Sequence, residues 1–247
     1  MDITTLILII LLIAFFRTPF VKGLYGEFLV NFTINGRLNK NIYHLLKDVT
    51  LPIQNGTTQI DHIIISQYGI FVLETKNMKG WIFGDEHQKI WTQKIYKNTN
   101  KFQNPLHQNY KHIKTLESIL KVDLDKMFSI IVFVGDSTFK TEMPNNVTYA
   151  SGFISLINSK TKKLFSEKEV ENIILTIENK RLSKTIKTHF AHAQNVKNIV
   201  KEKNNKNFCP KCGSELVLRI AKKGINKGNK FYGCSSFPRC KHTSQIT

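Results

Sequence analysis

A chain of 247 residues, 41% of them hydrophobic, can bury one medium domain with a small appendage beside it, which excludes a disordered tail. Lysine and arginine number 36 against 18 aspartates and glutamates, and the resulting net charge of +18 favours polyanionic partners, either nucleic acid or an anionic membrane surface. The chain is also rich in Lys, Asn and Ile together, the bias an AT-rich genome produces, so charge alone decides nothing and a motif has to.

The first predicted element, residues 3–16, is apolar apart from Thr4 and Thr5 and is followed by Arg17, Pro19 and Lys22. It reads as a membrane anchor over residues 1–22. The run falls short of the ~20 residues a span needs, but it makes a transmembrane helix if Phe20 and Val21 extend it and Arg17 snorkels. A buried helix and a cleaved signal peptide are the rivals; against the second, Asp2 precedes the run and positive charge follows it. The same asymmetry places the bulk of the protein in the cytoplasm.

Residues 24–34 have helical spacing, with Leu24, Phe28 and Phe32 on one stripe and Glu27 near the start, and Asn35-Gly36 ends them. A second short helix is expected around residues 42–46. After Val49-Thr50-Leu51-Pro52 and an Asn55-Gly56 turn come two strands, 60–66 and 70–76, joined as a hairpin across Gln67-Tyr68-Gly69. Residues 80–84 and 89–93 suggest two more short strands, with Trp81 and Trp91 in the core. Asn104-Pro105 opens a helix running to residue 120, and residues 128–134 form an apolar strand buried on both faces. From Ser166, which makes a capping box with Glu169, the pattern is helical with interruption to residue 200, and residues 201–207 read as a charged, Asn-rich linker. The fold class is mixed α/β.

All four cysteines lie beyond this linker, as Cys209-Pro210-Lys211-Cys212-Gly213 and as Cys234 and Cys240 around Ser-Ser-Phe-Pro-Arg, with 21 residues between the pairs. The larger domain therefore has no disulfide, and a reducing compartment fits best. Two close pairs brought together by a hairpin supply four tetrahedral thiolates for one zinc ion, a closed shell with no open position for water, so this zinc is structural. A pair of disulfides and a thiol redox pair at Cys209 and Cys212 are the alternatives. The module resembles the C-terminal zinc ribbons of bacterial type IA topoisomerases, on C-P-x-C-G, on Lys227-Gly228-Asn229-Lys230-Phe231-Tyr232-Gly233-Cys234 and on Phe237-Pro238. That resemblance implies binding of single-stranded DNA. The residues agree: Phe231, Tyr232 and Phe237 are placed to stack bases beside Lys222, Lys223, Lys227, Lys230 and Arg239, although the same aromatics also suit the ribbon's small core. Topoisomerase activity does not follow.

The second constellation is Gln59-Ile60-Asp61-His62 with Leu73-Glu74-Thr75-Lys76 on the partner strand. Alternation projects Glu74 and Lys76 from one face, a hairpin partner brings Asp61 beside them, and two carboxylates with a lysine suit magnesium and phosphoryl chemistry. Together with Gly26-Glu27, Thr57-Thr58, Gly69-Ile70-Phe71-Val72, Asn77, Gly80-Trp81 and Asn104-Pro105-Leu106-His107-Gln108-Asn109, this stretch resembles the nuclease-related domain, NERD, over residues 23–135. That family is similar to the PD-(D/E)xK nucleases, whose core is a mixed sheet flanked by helices. The resemblance implies Asp61 and Glu74 as magnesium ligands, Lys76 as the catalytic lysine, Glu27 as an additional ligand or orienter, and Gln108 as the glutamine of the following helix. Two departures stand out: Ile60 replaces the proline before Asp61, and His112 replaces the tyrosine four residues after Gln108. A regular strand turns His62 away from Asp61, as a satisfied structural histidine; His107 and His112 are weaker candidates still.

The domains expected are an anchor over 1–22, a nuclease-like domain over 23–140, the rest of the core with a helical linker over 141–206, and the zinc ribbon over 207–247. The function expected is a membrane-tethered, magnesium-dependent enzyme hydrolysing phosphodiester bonds in DNA or RNA. The alternative is a non-catalytic DNA-binding or sensing protein on the same fold, and a third reading is a membrane-surface adaptor using the same positive charge.

Overall fold

The computed structural model describes residues 2–16, 18–54, 56–183, 209, 211–221 and 228–245. They form two compact units, residues 1–86 with 91–182, and residues 87–90 with 183–247.

The first unit begins with α1 (Ile3–Phe16) and α2 (Pro19–Arg37), which stay separate because the Thr18-Pro19 step interrupts the helix. A residue before proline is pushed out of the helical region, and Thr18 is extended at φ −63° and ψ 146°, its side chain accepting from Val21 N. The expected transmembrane helix is therefore not formed. α1 alone is ~21 Å long against a ~30 Å hydrocarbon core, and among the described residues no helix is long and apolar enough to cross a membrane. α2 also begins five residues earlier than its apolar pattern suggests, since Pro19 at its first turn has no N–H to leave unsatisfied.

The expected short helix at residues 42–46 is instead the start of a strand, β1 (His44–Ile53). So short a run cannot nucleate a helix alone, whereas it pairs antiparallel with β2 (Gly56–Ser66) at both ends of β1. β2 turns through Gly69, at φ +138°, into antiparallel β3 (Gly69–Asn77). β4 (Gly80–Phe83), β5 (Ile90–Ile95) and β6 (Asn98–Gln103) follow, the last unforeseen because Asn98-Thr99-Asn100-Lys101 has no apolar alternation. α3 (Pro105–Leu120) starts at Asn104, whose side chain caps Leu106 N, and a 3-10 turn leads to β7 (Met127–Val134), which lies parallel to β3. The short β8 (Ser137–Phe139), β9 (Val147–Tyr149) and α4 (Phe153–Asn158) precede α5 (Glu167–Lys180), whose Ser166–Glu169 capping box forms as its sequence signature predicts.

The main sheet runs β1-β2-β3-β7-β9, and a smaller one runs β6-β5-β4-β8. On one face of the main sheet, Ile63, Ile65 and Val72 pack with Ile113 and Leu116 of α3 and Ile173 and Ile177 of α5. On the other, Ile64, Phe71, Leu73 and Val132 pack with Val30 and Ile34 of α2 and Phe153 of α4. Gly26 lets α2 approach: a Cβ there would meet Asn77 Cβ and Val134 Cγ2 at 2.9 Å. The order α2-β1-β2-β3-α3-β7, a mixed sheet between helices, is the arrangement the nuclease resemblance implies. Trp91 is buried against Phe133, but Trp81 is not core: it is half exposed, with Lys140 Nζ 4.8 Å above its ring.

The second unit is a three-stranded antiparallel sheet of β10 (Leu216–Ile220), β11 (Lys230–Cys234) and β12 (Thr243–Gln245), in that order. The helical continuation to residue 200 and the linker at 201–207 lie outside the described residues.

Candidate active site and metal centre

The site is built where the main sheet loses regularity. Ile60 packs on the α3 side together with Ile63 and Ile65, so strict alternation slips by one residue between them; Leu46 and Val49 show the same slip on β1. The ladder pairs Lys47 with His62 and Val49 with Ile60 but skips the facing Asp48 and Asp61, and Asp48 takes a left-handed φ of 50°. His62 is buried, as a structural histidine would be, but neither ring nitrogen makes an aligned hydrogen bond. Burial pushes its pKa down to about 4, with Asp48 opposing.

The β2–β3 ladder ends at His62 opposite Leu73, while β3 stays with β7 through Asn77. Beyond that fork the β3 backbone is released from β2, and Thr75 N donates to Asp61 Oδ2 at 2.8 Å. Alternation then aims Glu74 and Lys76 at α3. Glu74 is buried, with Lys76 Nζ 2.6 Å from its Oε1. Gln108 Oε1 accepts from Lys76 Nζ at 3.1 Å. One helical turn on, His112 Nε2 lies 3.3 Å from Glu74 Oε2, close enough for an ion pair though not aligned as a hydrogen bond. Thr58 Oγ1 holds the other nitrogen, His112 Nδ1, at 2.9 Å. The buried Asn109 fixes α3 in place, donating to Val72 O at 2.7 Å and Ser129 Oγ at 2.8 Å.

Of the residues expected to act together, Glu74, Lys76 and Gln108 are in direct contact, and Asp61 is tied to the residue between Glu74 and Lys76. Glu27, on α2, is near enough to feel the charges of Asp48 and Glu74. Burial, then Asp48 and Glu74, push its carboxyl up to about 7. Burial and then Glu74 also raise Asp61 well above the carboxylate range, against the opposing Thr75 N–H. Burial would raise Glu74 too, but Lys76 and His112 outweigh it and hold it low. Glu27 and Asp61 thus resist ionising beside a charged Glu74, and carboxylate oxygens of this kind are the donors a hard divalent cation takes, although among the described residues only the four cysteines form a group of three or more ligand side chains close enough for one ion. Sequence reasoning missed Asp48, for which a strand carries no signal, and underrated Thr58 and His112; the spacing of His112 four residues after Gln108, on one helix face, was the available clue. His107 instead contacts Glu86 O, away from this cluster.

In the ribbon, Cys209 and Cys212 flank a tight turn, with Gly213 N donating to Cys209 O and Cys209 N to Ser214 O, both at 2.7 Å. Cys234 ends β11, and Cys240 N returns to Ser236 O. The four sulfurs lie within 4.8 Å of one another, with Cys209–Cys240 at 3.6 Å and Cys212–Cys234 at 3.3 Å. A tetrahedral zinc shell with ~2.3 Å bonds sets sulfurs ~3.8 Å apart, so the cluster fits one zinc ion, and none of the four is in a disulfide. Without a cation they cannot all ionise: burial, then Cys212, hold Cys234 up at about 12, while Ser214 hydrogen bonds overcome burial to bring Cys212 to about 6. Phe237 and Arg239 are exposed, Lys230 is exposed, and Phe231 and Tyr232 are half-buried on β11. Lys222, Lys223 and Lys227 lie outside the described residues. Arg219, not foreseen, sits 5.7 Å over the Phe237 ring and donates to Cys234 O at 3.2 Å. With Phe231 and Lys241 these two line a cleft of about 220 Å³.

An antiparallel hairpin continued by a parallel strand, with Asp61 on one strand and Glu74 and Lys76 on the next, defines a nuclease-like α/β domain, here followed by a four-cysteine zinc ribbon. The chain belongs to the nuclease-related domain (NERD) family, whose model matches residues 22–134, and the topoisomerase DNA-binding C4 zinc finger matches residues 206–247. An uncharacterized protein of Bacillus anthracis is 39% identical over 166 residues, covering 65% of this chain and 77% of that one. DNA topoisomerase 1 of Methanocaldococcus jannaschii is 47% identical over 47 residues, 19% of this chain and 6% of the enzyme. DNA topoisomerase 1 of Mycoplasma genitalium is 30% identical over 139 residues, 52% of this chain and 19% of the enzyme. No solved structure matches.

Proposed function

We propose that this protein is a magnesium-dependent phosphodiester hydrolase acting on DNA, held on its substrate by the zinc ribbon and on a membrane by α1. One observation carries the catalytic part: Lys76 Nζ is fixed between Glu74 Oε1 and Gln108 Oε1, next to an Asp61 locked to the Thr75 amide. Asp61 and Glu74 would hold the magnesium, with Glu27 as a further carboxyl. When bound, the ion polarises the phosphoryl oxygen and stabilises developing charge. Gln108 and Glu74 each take one of the Lys76 donors, which aims the remaining N–H at a phosphate oxygen or the attacking water. His112 and Thr58 fix the rotamer of Glu74 from behind. In the ribbon, Phe231, Tyr232 and Phe237 offer stacking faces beside Lys230 and Arg239, a composition suited to single strands.

The second reading, a DNA-binding protein without turnover, is favoured by the ribbon alone. Full-length protein in detergent should cleave labelled DNA when magnesium is added, with RNA and duplex substrates as further arms. Glu74→Ala and Lys76→Ala should each slow cleavage by about 10³-fold. Equal inertness of wild type and both variants on every substrate, with DNA binding that falls steeply with salt, would leave only the second reading.

A further inference from the structure

α2 is apolar on two opposite sides. Inward, Gly26, Val30 and Ile34 seat it on the sheet. Outward, Phe20, Leu24, Phe28 and Phe32 recur every fourth residue and are 69%, 50%, 60% and 71% exposed, with exposed Tyr25 beside them. At 100° per residue this stripe covers about 120° of the helix, on the face that a surface helix normally fills with charge. The only acidic residue of α2, Glu27, points elsewhere, and the exposed cations Lys22 and Arg37 stand near its two ends.

What covers such a stripe is indicated by α1, two residues upstream. Ile3, Leu8, Ile9, Ile10 and Leu12 are all exposed, and at helical spacing they point around the whole circumference rather than to one side. A second copy of the chain, or any one-sided protein partner, would leave most of such a helix in water. Hydrocarbon surrounds it on every side at once. α1 is too short to cross, a length that suits entry into a single leaflet, from which the Thr18-Pro19 corner would hand the chain on to α2 at the level of the headgroups.

We propose that the outward face of α2 is a membrane-docking surface, with the helix lying in the plane of an anionic phospholipid bilayer and its aromatic stripe sunk at the boundary of headgroups and acyl chains. Phenylalanine, leucine and tyrosine suit that depth, and the chain's net charge of +18 favours anionic headgroups. This rests on the membrane-anchor part of the function proposed above and adds a second contact that fixes orientation. α2 is thereby a shared wall: one side meets lipid, and Glu27 on its flank faces the carboxylate cluster.

Flotation of the full-length protein with vesicles of phosphatidylglycerol and phosphatidylcholine tests this. Wild type should float. Leu24→Ser/Phe28→Ser/Phe32→Ser should lose about tenfold or more of its vesicle partition, with zinc content and thermal midpoint unchanged because these side chains leave no core contact behind. If that variant floats like wild type while Ile7→Asp/Ile10→Asp does not, the stripe has no part in docking and only the anchor stands. If wild type fails to float, anchor and inference fall together. If light scattering in detergent shows a dimer that the stripe variant splits while vesicle binding is unaltered, the occupant is a second copy and the inference is overturned. Should the triple variant not fold, Phe32→Trp supplies the readout: its added fluorescence should be quenched by brominated lipid, and unquenched fluorescence refutes the docking.

Discussion

Each oxygen of Glu74 answers to a different neighbour, Oε1 to Lys76 and Oε2 to His112, and the second contact depends on Thr58 holding the ring. If this chain positions Glu74, His112→Ala should cut the rate of DNA cleavage by about 10- to 100-fold in kcat with little change in KM, and Thr58→Val should add nothing on top of it. Additive losses in the double variant would show that the two act separately. Glu27 makes a second case. Its native carboxyl keeps a proton to about pH 7 against an ordinary value of 4.5, so between those values the native state binds more protons than the unfolded one. Stability from this group is therefore present at low pH and is lost as the pH rises through that window. In metal-free protein the thermal midpoint of wild type relative to Glu27→Gln should fall from about pH 5 to about pH 8, and magnesium should recover most at the alkaline end. Parallel profiles for the two proteins would refute it. Asp61, Glu74 and Lys76 stood out in the sequence because residue type and alternation are local properties, whereas Gln108 was implied only by the family resemblance. Asp48 was not, since its place depends on a kink in two paired strands that no pattern in either one announces.

Among elements, α3 and the hairpin of β2 and β3 follow from Asn104-Pro105 and from Gln67-Tyr68-Gly69, whose preferences agree with the packing. β1 does not, because its first residues have no local preference strong enough to outvote a partner strand. Gly26 shows how an element carries the site: one Cβ at that position collides with Asn77 and Val134, and the next residue is Glu27. Gly26→Val should destabilise the first unit by about 1–3 kcal/mol in denaturant titration and slow cleavage beyond what the stability loss explains, since α2 must lift off β3 and β7. Full activity in the variant at a temperature where it remains folded would mean that the seat of α2 does not set the geometry of the site.

The molecule as a whole keeps its four clustered sulfur donors in the second unit, and the magnesium site proposed above would keep its oxygen donors in the first. A zinc-selective chelator should abolish DNA retention by the ribbon while the main thermal transition of the first unit stays in place, because so small a sheet has little core to stand on without its ion. Loss of both at once would mean that the two units fold as one. Every thiol of the chain is in the ribbon, and that has a further consequence for the protein in a stressed cell. Peroxide oxidises cysteine through its thiolate, so the cysteine chemistry it finds here falls entirely on the grip on nucleic acid. The carboxylates and lysine of the other unit carry no thiol, so cysteine oxidation would leave that cluster intact but deprived of its tether.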